Sequence, residues 1–226
     1  MRNDKTESSL SRRELLIGAA AATTASAAKA ASMNAPSSTR FDAQRFVEEC
    51  RAANQGATDA QAAVQEVLAR AMADPRAVLS GVGEPQKGGI QTLYRSPALT
   101  ILNIVWSPLM QLMPHEHRMW ALIGIYTGRE DNIFWQRRDG RLVASTATAI
   151  SAGSVVSLPQ EVIHSVTNPI EKLTGAIHIY GGDFFAVPRS EWDPETLAER
   201  EWSVQAALHL FEQSNERFLQ SRSCKA

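Results

Sequence analysis

The run Pro114-His115-Glu116-His117 places two imidazoles two residues apart within the strand-rich part of the chain. Side chains alternate along a strand, so His115 and His117 share one face and Glu116 takes the other. Two rings about 7 Å apart along one strand face can bite a single metal ion. By itself a His-x-His leaves that reading open. Two further clusters carry chemistry-capable groups: Leu93-Tyr94-Arg95, ahead of a strand, and His178-Ile179-Tyr180, whose two rings face one way on a late strand. Read alone, Arg95 is equally a surface arginine at a strand end, and His178 and Tyr180 are equally core residues with satisfied polar tips.

Residues 153–168 add a pattern. Gly153, Pro159, His164 and Asn168 fall where the second cupin motif has its glycine, proline, histidine and asparagine. Pro114-His115-Glu116-His117 resembles the centre of the first cupin motif, with Leu109 where that motif opens on glycine. That motif usually adds a glutamate three or four residues beyond its second histidine. Here Arg118, Met119, Trp120, Ala121 and Leu122 follow His117, and none is a carboxylate. The resemblance therefore implies a ligand set of three neutral histidines, His115, His117 and His164. Such a set leaves a divalent ion its full charge, which favours an anionic ligand such as a thiolate in the open positions.

Three histidines on a cupin frame with flanking helices resemble the cysteine dioxygenase family of thiol dioxygenases, over roughly Tyr94 to Val187. The likeness implies Fe(II) as cofactor, a small thiol of the cysteine or 3-mercaptopropionate type and O2 as substrates, and a sulfinate product. It implies that Arg95 binds the substrate carboxylate, that Tyr180 hydrogen-bonds substrate or oxygen, and that His178 orients Tyr180. Two positions depart from the family: Ala176 stands where its Ser-x-His-x-Tyr triad begins, and no cysteine follows His117 for a cysteine–tyrosine crosslink. Three histidines also suit zinc, copper or nickel. A non-catalytic cupin that binds a metal or small ligand is the alternative from another class.

The elements that must position these residues are legible in outline. The implied fold is mainly β, a cupin double-stranded β-helix (jelly-roll barrel), with N-terminal helices and a C-terminal helix. Short β-branched and aromatic runs at 99–106, 120–126, 132–135 and 176–180 are punctuated by Thr127-Gly128, Asp139-Gly140, Gly153 and Gly181-Gly182. A helix is expected over 41–54. A second should begin at Thr58, with Gln61 completing a capping box, carry the stripe Val64, Val67, Leu68 and Met72, and stop at Asp74-Pro75. Asp193-Pro194-Glu195 reads as the start of the last helix. The expected organisation is an export signal over 1–30, a linker and helical segment over 31–87, the barrel over 88–190 and the helix over 191–226.

The first thirty residues carry Ser11-Arg12-Arg13-Glu14-Leu15-Leu16, a short apolar run and Ala-x-Ala sites, an order that looks like a twin-arginine export signal. Cleavage is expected after Ala30, with Ala27 second, giving a periplasmic or exported protein; without export it would be cytoplasmic. Hydrophobic residues make up 44% of the 226 and charged residues 21%, which suits a packed fold. The formal net charge of −1 gives no footprint for nucleic acid. No stretch is apolar for long enough to span a membrane. Two cysteines, Cys50 and Cys224, exclude a disulfide scaffold, and their pairing is not expected. A monomer or weak oligomer is expected.

Overall fold

A computed structural model describes residues 40–223. The expected export signal and Cys224 lie outside the described residues. Three helices come first: α1 (Ala43–Gly56), α2 (Ala60–Met72) and α3 (Pro75–Val82). Each is capped by an aspartate, Asp42, Asp59 and Asp74, whose carboxylate accepts backbone N–H bonds of the first turn. Asp59, not Thr58, therefore starts α2, and Gln61 reaches instead to Ser157 and the Leu158 carbonyl. Asp74-Pro75 does end α2, but it also opens α3, because proline at the first position suits a helix start as well as it blocks continuation.

Eleven strands follow: β1 (Gly89–Arg95), β2 (Thr100–Trp106), β3 (Gln111–Glu116), β4 (Ala121–Thr127), β5 (Arg129–Arg138), β6 (Arg141–Ser151), β7 (Val155–Leu158), β8 (Ile163–Thr167), β9 (Thr174–Tyr180), β10 (Ser190–Trp192) and β11 (Glu199–Glu201). They form two antiparallel sheets, ordered β1-β2-β9-β4-β7 and β11-β10-β3-β8-β5-β6. This is the double-stranded β-helix the sequence led us to expect. The β5–β6 hairpin turns at Asp139-Gly140, both at positive φ, as a two-residue turn requires.

Strand alternation decides which residues reach the barrel interior. On β9, Ile177 and Ile179 join Ile101 and Leu122 in a core shared with Phe46, Val64, Leu68 and Met72 of the helices. Ala176 and Tyr180 face the other way, into the core between the sheets. Because helices cover its outer face, every residue of β9 is buried. Gly124 makes that cover possible: a Cβ there would stand 2.9 Å from both Leu68 Cδ1 and Met72 Cγ.

The chain after residue 190 departs from the expected helix. Asp193 Oδ1 accepts from the N–H groups of Glu195 and Thr196, closing a turn, and Leu197 takes a positive φ of 56° that no helix continues through. The segment returns as β11, paired with β10, and α4 runs only from Val204 to Ser223. Ala207 and Phe211 of α4 join the core between the sheets, with the Phe211 ring stacked on Trp106 at 5.3 Å between centroids. Asn215 fastens the helix, accepting from the Gly88 N–H and the Ser107 hydroxyl.

Candidate metal centre

His115 on β3 and His164 on β8 are direct partners across the antiparallel ladder. His117 follows one residue beyond the end of β3, before a left-handed turn at Arg118 (φ 56°). All three rings are at most 3% exposed. His117 Nε2 lies 3.1 Å from His115 Nε2 and 3.3 Å from His164 Nε2. Ligands about 2.1 Å from one metal ion, at angles between 90° and tetrahedral, sit about 3.0–3.4 Å apart. The geometry matches.

The remaining ring nitrogens decide the protonation pattern. His115 Nδ1 lies 3.0 Å from the Met113 carbonyl, and His164 Nδ1 lies 2.7 Å from Asn132 Oδ1. Both partners only accept, so each Nδ1 carries the proton and each Nε2 presents a lone pair. His117 Nδ1 is buried with no hydrogen-bond partner; with the His117 proton there, all three Nε2 lone pairs face one point, where a cation satisfies them. Burial lowers the pKa of His115 to about 4 and holds His117 and His164 well below the usual range, with neighbouring rings adding to it for the latter two. All three are therefore neutral at pH 7, the form that ligates.

Among the described residues this cluster contains no carboxylate. Glu116 points away from it, as alternation requires: its Oε1 accepts from Arg118 Nε at 2.7 Å and from the Ser190 N–H at 3.1 Å. The cupin-motif positions also fall into place. Gly153 has φ 89°, and Leu109, where the first motif has glycine, takes a positive φ of 57°. Asn168 is fully buried and donates to the carbonyls of Trp106, Ser107 and Lys172, clamping the loop that follows β8.

Tyr180 and His178 both line the cavity beside the trio. The Tyr180 ring stands edge-on to His117 at 5.0 Å, and its hydroxyl lies 3.3 Å from His178 Nδ1. Burial pushes the phenol's pKa up, with Arg189 opposing, so it keeps its proton at neutral pH. Arg95 is placed differently. It forks onto Asp183, with Nε and Nη2 donating at 2.9 and 3.0 Å, and stacks over Phe185 at a half-exposed position.

Sequence reasoning missed the guanidinium that is buried. Arg189 is 4% exposed and lies over the rings of Phe184 and Trp202, 4.3 and 4.7 Å from their centroids. Those two rings contact the trio, Trp202 at His115 and Phe184 at His117. Nη1 donates to the Phe184 and Val187 carbonyls, while Nε and Nη2 have no hydrogen-bond partner. Burial lowers its pKa to about 10, which still leaves it charged at pH 7. Its place in the sequence, Pro188-Arg189-Ser190, gave no signal. Also missed was Glu130, a fully buried carboxylate on β5. Its signal was available: Glu130, Asn132 and Phe134 alternate on one face once β5 is allowed to start at Arg129 rather than Asn132.

No known family profile matches this sequence. Among solved structures the chain is similar to an RmlC-like cupin family protein with a double-stranded β-helix fold from Methanocaldococcus jannaschii, at 14% identity over 45% of this chain and 86% of that one, with a TM-score of 0.38. It is similar to a cupin 2 conserved barrel domain protein from Leptotrichia buccalis, at 22% identity, 44% of each chain and a TM-score of 0.36. An oxalate decarboxylase variant from Bacillus subtilis shares 16% identity over 45% of this chain, with a TM-score of 0.36, and only 27% of its own length is spanned. The strand order and the convergence of the three histidines, rather than these distant likenesses, define a double-stranded β-helix with a candidate three-histidine metal centre.

Proposed function

We propose that this protein is an Fe(II)-dependent thiol dioxygenase that converts a small thiol carboxylate to its sulfinate with O2. The observation that carries the reading is the convergence of three buried imidazole Nε2 atoms without an acidic donor. His115, His117 and His164 would hold the iron. When bound, that ion supplies a Lewis-acid centre at which a thiol ionises and dioxygen is activated.

The chain's own residues then have separable tasks. Arg189 offers two unpaired donors in a buried setting, where a guanidinium without an anion is costly. A substrate carboxylate satisfies both donors at once. Tyr180 retains its proton and presents its hydroxyl to the cavity, and His178 Nδ1 holds that hydroxyl in place. Phe184, Trp202 and Phe211 exclude water from the cavity, which strengthens each of these polar contacts.

Oxygen uptake by the iron-loaded protein tests the reading. With 3-mercaptopropionate or cysteine, uptake should match sulfinate formed one for one, and cysteamine, which lacks a carboxylate, should be the poorer substrate. Silence with all three thiols would leave a metal-binding cupin of other function, and full activity from zinc-, copper- or nickel-loaded protein would move the chemistry to a different metal.

A further inference from the structure

We propose that Glu130 is a positioning residue that orients the metal ligand His164 and the Tyr180–His178 pair together. The inference deepens the proposed function and rests on it only for the task of Tyr180. A carboxylate with no exposed surface inside a largely apolar barrel needs partners to remain there. Glu130 Oε1 accepts from Asn132 Nδ2 at 2.9 Å, and Oε2 accepts from Trp106 Nε1 at 2.7 Å. His178 Nε2 lies 3.4 Å from the same Oε2.

The first consequence runs toward the metal. The two ends of an amide differ, and a carboxylate only accepts. By taking the amino end of Asn132, Glu130 fixes which end is left for His164. Asn132 Oδ1 therefore faces His164 Nδ1 at 2.7 Å, which demands a proton on Nδ1 and a lone pair on Nε2.

The second consequence runs toward the phenol. Among the described residues the acceptor beside His178 Nε2 is the Glu130 carboxylate, so that nitrogen is the protonated one, although 3.4 Å is longer than a formed hydrogen bond. Nδ1 is then the acceptor, and the Tyr180 hydroxyl 3.3 Å away donates to it. Ala176 offers no hydroxyl to this pair from its own strand. The polar contact comes from β5, in the opposite sheet. One carboxylate thus sets the tautomers of two histidines.

Nitrogen-15 NMR of the zinc-loaded, diamagnetic protein reads these tautomers without thiol or oxygen. In the native chain His178 should carry its proton on Nε2 and His164 on Nδ1. In Glu130→Gln, an isosteric change, His178 should lose its single tautomer and the zinc dissociation constant should rise about 10–100-fold. Asn132→Ala should weaken zinc similarly while leaving the His178 tautomer intact. An Nδ1-protonated His178 in the native protein overturns the proposal, a result that needs no variant to fold. So does a Glu130→Gln protein in which either the tautomer or the zinc affinity is unchanged. A protein inactive on thiols would still return both readouts, so the two readings fail separately.

Discussion

His115 and His164 are paired residues of the β3–β8 ladder, and their ring centroids stand 4.6 Å apart. Two of the three candidate ligands are thus fixed by the sheet's own backbone hydrogen bonds, and only His117, at the strand end, depends on a turn. Removing a ladder ligand leaves two imidazoles in a site shaped for three. His164→Ala should weaken Fe(II) or Zn(II) binding by more than the about 10–100-fold typical of outer-shell changes, measured by competition with a chelator. Affinity within about twofold of the native protein would contradict the assignment of His164.

Acid should destabilise the metal-free protein through the same rings. Folding holds them neutral, whereas imidazoles of the unfolded chain titrate near 6.5. A depressed histidine pKa contributes its full stability above about pH 6.5, and that contribution is lost as pH falls toward the folded-state value. For His115 the window runs from 6.5 to about 4, worth about 3 kcal/mol. Urea midpoints of chelator-treated protein should fall over this range, and His164→Gln should reduce the slope. A flat profile between pH 7 and 5 would contradict it.

The two arginines should separate cleanly. Arg189→Ala removes two buried donors and should raise KM for a thiol carboxylate about 10–100-fold, the effect of a lost charge-assisted hydrogen bond, while changing cysteamine turnover little. Arg95→Ala breaks a partly exposed ion pair with Asp183 and should leave KM within about twofold. Steady-state kinetics on both thiols decides. The reverse pattern would return the carboxylate to Arg95.

Leu109 is mostly exposed and held at φ 57°, a left-handed conformation that disfavours a side chain. Leu109→Gly should raise stability by up to about 1 kcal/mol, read as a higher urea midpoint at unchanged slope. A lower midpoint would show that the leucine side chain contributes more than the strain costs.

The barrel and the trio were legible because local rules govern them. Period-two alternation put His115 and His117 on one face and Glu116 on the other, and the resemblance of residues 153–168 to the second cupin motif pointed to His164. Asp193-Pro194 misled because an N-cap aspartate and an Asx turn look alike over three residues; Leu197 at positive φ decided between them. Arg189 and Glu130 were not found because their roles arise only on packing. A guanidinium over Phe184 and Trp202, or a carboxylate between Trp106 and Asn132, joins residues from separate elements that no spacing connects.

X-ray absorption spectroscopy of the iron-loaded protein tests the centre most directly. A thiol dioxygenase of this kind should show one Fe(II) per chain with three imidazole nitrogens at about 2.1 Å, a sulfur scatterer on adding 3-mercaptopropionate, and loss of the signal in His164→Ala. A carboxylate oxygen from the protein among the ligands, or only two imidazoles, would contradict it.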